Sequence, residues 1–241
     1  RAPYRSRLLN YLVQRVHLLL DRGDETEALN AFYYYQDLDA AWAFYRDVLG
    51  FETAADYGFA KIMRVADASY VTLVDVERGM HPADEPKAVT LAVVTEQVEA
   101  WYDYLVGQGV PMRAEFNLRE DRPHDGFVAI DPEGYFLEFE RFNPHPENVD
   151  LIPILDQIEP LESTGGSRPP ELGVQATVLW LYYQDLEGIQ RFYEDVMGFD
   201  LVVDQGHHAV VGAAGDLDGF AGQIEGARVD LELFAFEPGF R

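Results

Sequence analysis

Chemistry in this chain must come from oxygen and imidazole donors, because it has six histidines and no cysteine. Disulfides, thiolate metal sites and a cysteine nucleophile are thereby excluded. His81, His124 and His145 lie in GMHPADEP, REDRPHDG and NPHPEN, whose prolines and aspartates mark loops. Of these, His124 sits on a long connection and is a candidate site residue. His207 and His208 are adjacent, and neighbours on a strand point to opposite faces, so the two do not share one metal. They read as loop or strand-edge histidines. Among the carboxylates Glu138 stands out. Alternation along Tyr135–Phe142 puts it on one face with Phe136 and Glu140, and sets Leu137 and Phe139 on the other. A carboxylate so placed can accept hydrogen bonds, act as a general base or ligate a metal.

The elements that position these groups are repeated. The stretch FYYYQDLDAAWAFYRDVLGF, residues 32–51, returns as LYYQDLEGIQRFYEDVMGF, residues 181–199, with Asp37 over Asp185, Tyr45 over Tyr193 and Gly50 over Gly198. A fixed offset held without gaps marks one supersecondary unit used again. Aromatic residues 32–35 make a strand, and Asp37 supplies a helix N-cap. Leu38, Ala41, Trp42, Tyr45, Val48 and Leu49 form one helical face, which Gly50 ends. Strand-like runs follow at 51–55, 60–65 and 70–76, so the unit reads β-α-β-β-β.

A diverged copy comes next. Its strand is 88–94, its helix 98–105 and its later strands 111–116, 126–130 and 135–142, with the turn Asp131-Pro132-Glu133-Gly134 before the last. Residues 146–173 read as a linker, dense in proline, glycine and serine around the apolar patch 151–158, itself a short helix or strap. A third unit occupies 174–241 and is expected to close with VDLELFAF. Residues 1–27 carry Leu8, Leu12, Val16, Leu19 and Leu20 on one amphipathic face, interrupted by Gln14, Arg15 and His17, which does not suit a membrane span.

Forty-three acidic residues against 18 basic ones give a formal charge of −25. Such a surface repels nucleic acid and anionic membrane, and it is also the surface of a protein adapted to high salt. The reading is a soluble protein, cytoplasmic by default. The missing initiating methionine leaves an exported, trimmed form open.

The pattern DLDAAWAFYRDVLGF, followed by AIDPEGYFLEFERF, resembles the vicinal oxygen chelate superfamily of glyoxalase I, bleomycin-resistance proteins and extradiol dioxygenases. The resemblance covers residues 28–145 as a two-unit domain and 174–241 as a single unit. It implies an α+β fold of tandem β-α-β-β-β units. Two units pair their sheets into a curved bowl, with a divalent metal, where one is present, on the concave face.

The resemblance also implies where ligands would lie. Near the start of the first strands it points to Asn30, Thr90 and Val178. On the last strands it points to Val74, Glu138 and Glu232. Glu138 and Glu232 are the carboxylates in that set, a poor basis for a zinc, nickel, iron or manganese site, which wants three histidine or carboxylate ligands. No metal or other cofactor is therefore favoured, and Glu138 is expected to bond Asn30, Thr90 or a tyrosine. Phe32 and Tyr34 share the parity of Asn30, as Trp180 and Tyr182 share that of Val178, so the concave faces should be aromatic. His124 would stand near the mouth.

The favoured function is metal-free binding of a small apolar or aromatic molecule at Asn30, Phe32, Tyr34, Thr90, His124, Trp180 and Tyr182. One alternative is a divalent-metal lyase, isomerase or dioxygenase using Glu138; another is a degenerate domain with a structural or assembly role. The third unit, having no fourth to cover its sheet, is expected to pair with its equivalent in a second chain, giving a homodimer.

Overall fold

In the computed structural model of the chain, residues 28–118, 121–204, 208–213 and 219–225 are described. The expected helix within residues 1–27, His207, and the strand expected around Glu232 lie outside them. The first unit comprises β1 (Leu29–Tyr35), α1 (Leu38–Ala43, continued by a π-helical turn Phe44–Val48), β2 (Glu52–Asp56), β3 (Ala60–Arg64) and β4 (Ser69–Asp75). The second comprises β5 (Val89–Val94), α2 (Val98–Gly107), β6 (Met112–Ala114), β7 (His124–Ile130) and β8 (Phe136–Phe142). After the short helix α3 (Ile152–Leu155), the third adds β9 (Ala176–Tyr183), α4 (Leu186–Asp195), β10 (Phe199–Asp204), β11 (His208–Ala213) and β12 (Gly219–Glu225). The last described strand of the third unit, Gly219–Glu225, pairs parallel with its first.

Local chemistry accounts for the repeated helices. The Asp37 carboxylate accepts the Ala40 amide and Asp185 accepts that of Gly188, each at 2.9 Å, satisfying donors that the first turn leaves free. Gly50 and Gly198 follow α1 and α4 with φ of +66° and +72°, a conformation that favours glycine. Among the described residues no helix is long and apolar enough to cross a membrane.

The sheets combine in an unexpected way. The first unit stands alone as β1-β4-β3-β2, while the second and third share one sheet, β10-β11-β12-β9-β5-β8-β7-β6. The first and second units, expected to share a bowl, instead pack back to back through their helix-side faces. Tyr33, Tyr35, Val71 and Leu73 meet Leu91, Val93, Leu137 and Phe139 in one core, with Trp101 fully buried. Fully burying an apolar side chain stabilises by about 1.5–3 kcal/mol, so this interface is a major part of the fold. Nor is the third unit left unpaired: β9 joins β5 antiparallel, from Ala176 opposite Val94 to Leu181 opposite Val89. The edge expected to recruit a second chain is filled by this one, because hydrogen bonding it within the chain satisfies the same backbone groups.

The expected linker is an ordered strap. Ser167 bonds the Asp47 carbonyl through its amide at 2.7 Å and its hydroxyl at 2.9 Å. Arg168 is buried, donating to the carbonyls of Leu49 and Leu161 at 3.2 and 3.4 Å. Its guanidinium also lies over the rings of Trp101 and Phe51. The cation therefore closes the C-terminal end of α1, where carbonyls lack partners.

Candidate functional site

The carboxylate with the most unusual surroundings is Glu138. Strand alternation and pairing place it on the face opposite the helices, in a rung that runs Val178–Ala92–Glu138–Val128 across β9, β5, β8 and β7. On one side of it lies Trp180–Thr90–Phe136–Ile130, and on the other Ala176–Val94–Glu140–Gly126. Thr90 and the Tyr182 hydroxyl share a hydrogen bond of 3.0 Å. One face thus carries two carboxylates among four aromatic rings, those of Phe136, Phe142, Trp180 and Tyr182.

Part of that face is covered from within the chain. Leu151, Leu155 and Ile158 pack on Ala92, Val94, Phe142, Ala176, Val178 and Trp180. Gln175 donates to the Leu155 carbonyl at 2.6 Å and holds the cover in place. Glu140 is consequently 1% exposed, and its Oε1 has no hydrogen-bond partner among the described residues. Glu138, Phe136 and Tyr182 remain partly exposed. The short helix foreseen within 151–158, observed as Ile152–Leu155, therefore covers the Glu140 part of this face.

Electrostatics follow from this burial. Desolvation pushes the Glu138 carboxyl up to about 7, against the Trp180 indole beside it, which favours the charged form. Burial, and then repulsion from Glu138, raise Glu140 well above the ordinary carboxylate range. The pair holds a proton where isolated carboxylates would have lost theirs. Near neutral pH Glu138 can accept or donate one.

The face unites Glu138 with Thr90, Trp180 and Tyr182. His124 shares it, on β7 opposite Phe142, toward the end beyond Glu140. It stands on a strand rather than a loop, because pairing with β8 extends β7 back to that residue. Asn30, Phe32 and Tyr34 are not brought to Glu138. They lie on the outer face of the separate first sheet, where Thr72 donates to the Asn30 side-chain carbonyl at 2.9 Å. Thr72, opposite Phe32, holds the place that Glu138 holds opposite Ala92. Val74, which the resemblance points to, stands one pleat further along, opposite Tyr34.

Sequence reasoning placed Glu140 on the right face but gave it no role. Its spacing from Glu138 on an alternating strand was the available signal, whereas the cover that buries it comes from a distant segment.

Among the described residues the donors of this face fall short of a metal site. Thr90 and Tyr182 are bonded to each other, Val178 has no donor, and no group of three histidine, cysteine, aspartate or glutamate residues stands together among the described residues. Two carboxylates fall short of the usual three ligands.

Against known proteins, the sequence model of the Glyoxalase/Bleomycin resistance protein/Dioxygenase superfamily matches residues 28–139. None of the curated proteins compared matches the chain. Among solved structures it is similar to a protein from Bacillus subtilis subsp. subtilis strain 168, provisionally named a dioxygenase. The TM-score is 0.60 at 15% identity, covering 86% of this chain and 66% of that one. Glyoxalase I from Zea mays is similar with a TM-score of 0.54 at 16% identity, covering 83% and 68%. The chain spans about two thirds of the length of these structures. At such identities the likeness is one of fold.

Proposed function

The chain belongs, through residues 28–139, to the Glyoxalase/Bleomycin resistance protein/Dioxygenase superfamily, and from that premise we propose that its eight-stranded sheet binds a small apolar or aromatic molecule without a metal. The observation that carries this reading is the placement of Glu138, partly buried and with a carboxyl pushed up to about 7, on one face with Phe136, Trp180 and Tyr182. Apolar surface with a few fixed polar groups is the composition of small-molecule sites. Rings supply contact area, and Glu138 selects a ligand bearing a hydrogen-bond donor. Thr90 and Tyr182 position each other at its edge.

A divalent-metal lyase, isomerase or dioxygenase is the second reading, favoured by two carboxylates, Glu138 and Glu140, side by side on one face of the sheet. Glu138 would then be a ligand, and further donors would have to come from outside the described residues.

Two measurements separate the readings. Titration with para-cresol and with toluene, followed by tryptophan fluorescence, should show a preference for cresol that Glu138→Gln reduces by about tenfold or more, the worth of a hydrogen bond to a charged group. Equal binding of both probes in the wild type would remove the proposed role of Glu138. Mass spectrometry of protein purified without chelator should find no stoichiometric metal. Zinc, nickel, iron or manganese that is present in the wild type and lost in Glu138→Ala would establish the second reading instead.

A further inference from the structure

The apolar cover on the eight-stranded sheet is fixed at both ends. Asn148, fully buried, donates through its side-chain amide to the carbonyls of Pro123 and Asn143 at 2.6 and 2.8 Å. At the other end Leu161 and Val174 exchange backbone hydrogen bonds of 2.7 and 3.0 Å. The span between them contains α3. It rests on the sheet through Leu151, Leu155 and Ile158, and Gln175 tethers it at the Leu155 carbonyl. A segment pinned at its ends and held between them by side-chain contact can lift without breaking a strand.

Beneath the cover lie acceptors without donors. Glu140 is 1% exposed and its Oε1 has no hydrogen-bond partner among the described residues, and the Oε1 of buried Gln175 has none either. What acts on the Glu140 carboxyl is burial and the Glu138 charge, with no cation offsetting them. Enclosing such oxygens without donors is unfavourable, so apolar contact holds the cover down against a cost that a bound donor would remove. Glu138 lies two residues back along the same strand face, about 6.5 Å away by strand rise, and is partly exposed. The covered part of the face therefore continues directly into the open part.

We propose that the span 149–160 is a lid, and that Glu140 beneath it is a second anchor, for a ligand that carries an ammonium group. The inference rests on the small-molecule reading of Glu138 and extends it. With the hydrogen-bond donor of the ligand at Glu138, an ammonium on the far side of its ring reaches Glu140 once the lid lifts. A single para-substituted ring spans the separation of the two carboxylates. The ligand class is thus an arene with a hydroxyl at one end and an aminomethyl group at the other. Its ammonium supplies the N–H donors that Glu140 and Gln175 lack, in charge-assisted bonds to the carboxylate. Phe142, which packs in the same covered cluster, offers an aromatic ring to that charge.

Calorimetric titration with para-cresol and with para-hydroxybenzylamine tests the second anchor. Wild-type chain should bind the amine more tightly by about tenfold or more, and Glu140→Gln should cut that advantage to about threefold or less. Para-cresol bound with the amine no tighter overturns this proposal and leaves the reading of Glu138 standing, whereas failure of both probes to bind removes both. An advantage that survives Glu140→Gln also overturns it, since the ammonium then sits elsewhere. Lid movement is read separately. Because the chain has no cysteine, Leu155→Cys places one thiol on the buried underside of the lid, and Leu105→Cys places one in the other core. The amine should speed the reaction of a thiol-specific disulfide reagent with Leu155→Cys and not with Leu105→Cys, and para-cresol should speed neither. Equal acceleration at both positions would mean that the whole chain loosens, and none at Leu155→Cys that the cover stays down; either result overturns the proposal.

Discussion

The Tyr35 hydroxyl donates a hydrogen bond of 2.6 Å to Asp131, joining the first strand of one unit to a turn of the next. The other oxygen of that carboxylate accepts the amides of Glu133 at 3.0 Å and Tyr135 at 2.8 Å. Glu133 in turn accepts the amides of Gln36 and Asp37 at the head of α1, at 2.9 and 2.7 Å. The Asp-Pro-Glu-Gly turn is thus a polar lock between the two units, beside the apolar core that they share. It also fixes the register of β8, and with it Glu138.

Tyr35→Phe should therefore destabilise the chain by about 1–3 kcal/mol, the range for a buried hydrogen bond whose loss leaves a polar partner behind. Asp131 Oδ2 would keep only the Tyr45 hydroxyl, at 3.4 Å. Asp131→Ala should cost more, since two turn amides lose their acceptor as well. Urea denaturation measures both, and equal stability of Tyr35→Phe and wild type would show the lock to be dispensable.

Gly50 and Gly198 separate the strap's contribution from backbone strain. Both have positive φ, so alanine at either should cost on the order of 1 kcal/mol in backbone conformation. A Cβ at Gly50 would also lie 2.6 Å from the Ser163 hydroxyl and 2.9 Å from Cβ of Arg168, whereas one at Gly198 meets nothing within 4 Å. Gly50→Ala should be the more destabilising by a further 1–3 kcal/mol or so, the usual cost of overpacking. Denaturation midpoints of the two variants read the difference, and equal losses would mean that the strap yields freely.

Local signals carried the unit but not the assembly. Asp37, Gly50 and the aromatic parity of β1 revealed β-α-β-β-β because caps and alternation act over a few residues. The pairing of β9 with β5 is not local: both first strands are apolar, and nothing in Val89–Val94 states which neighbour takes its edge. For the same reason Asn30 was grouped with Thr90 and Glu138, although it lies on the other sheet. Arg168 escaped notice because a proline- and glycine-rich stretch signals turns, and its ring and carbonyl partners come from distant residues.

Charge should make stability salt-dependent. With 43 acidic and 18 basic residues the folded chain repels itself, and added salt screens that repulsion over about 10 Å at 0.1 M. Thermal midpoints should rise with sodium chloride, and dialysis into low salt should loosen the fold. Midpoints indifferent to salt would mean that local ion pairs such as Arg141 with Glu99 and Asp125 already offset the excess.

Glu138 and Glu140 should tie stability to pH in a direction opposite to that of surface carboxylates. Burial raises both in the folded chain, Glu138 from 4.5 to about 7. As pH rises from about 4.5, the unfolded chain releases these protons while the folded chain keeps them, so stability falls. For Glu138 the fall is complete above about 7, and a shift of this size corresponds to a loss on the order of 3 kcal/mol. Glu138→Gln should remove its share of the slope and, by taking away a neighbouring charge, shrink that of Glu140. The double variant Glu138→Gln, Glu140→Gln should be flat over this interval and more stable than wild type at pH 8. Urea denaturation at pH 5 and pH 8 decides the matter: a wild type that gains stability across this range relative to the double variant would mean that the two carboxylates are charged and well solvated.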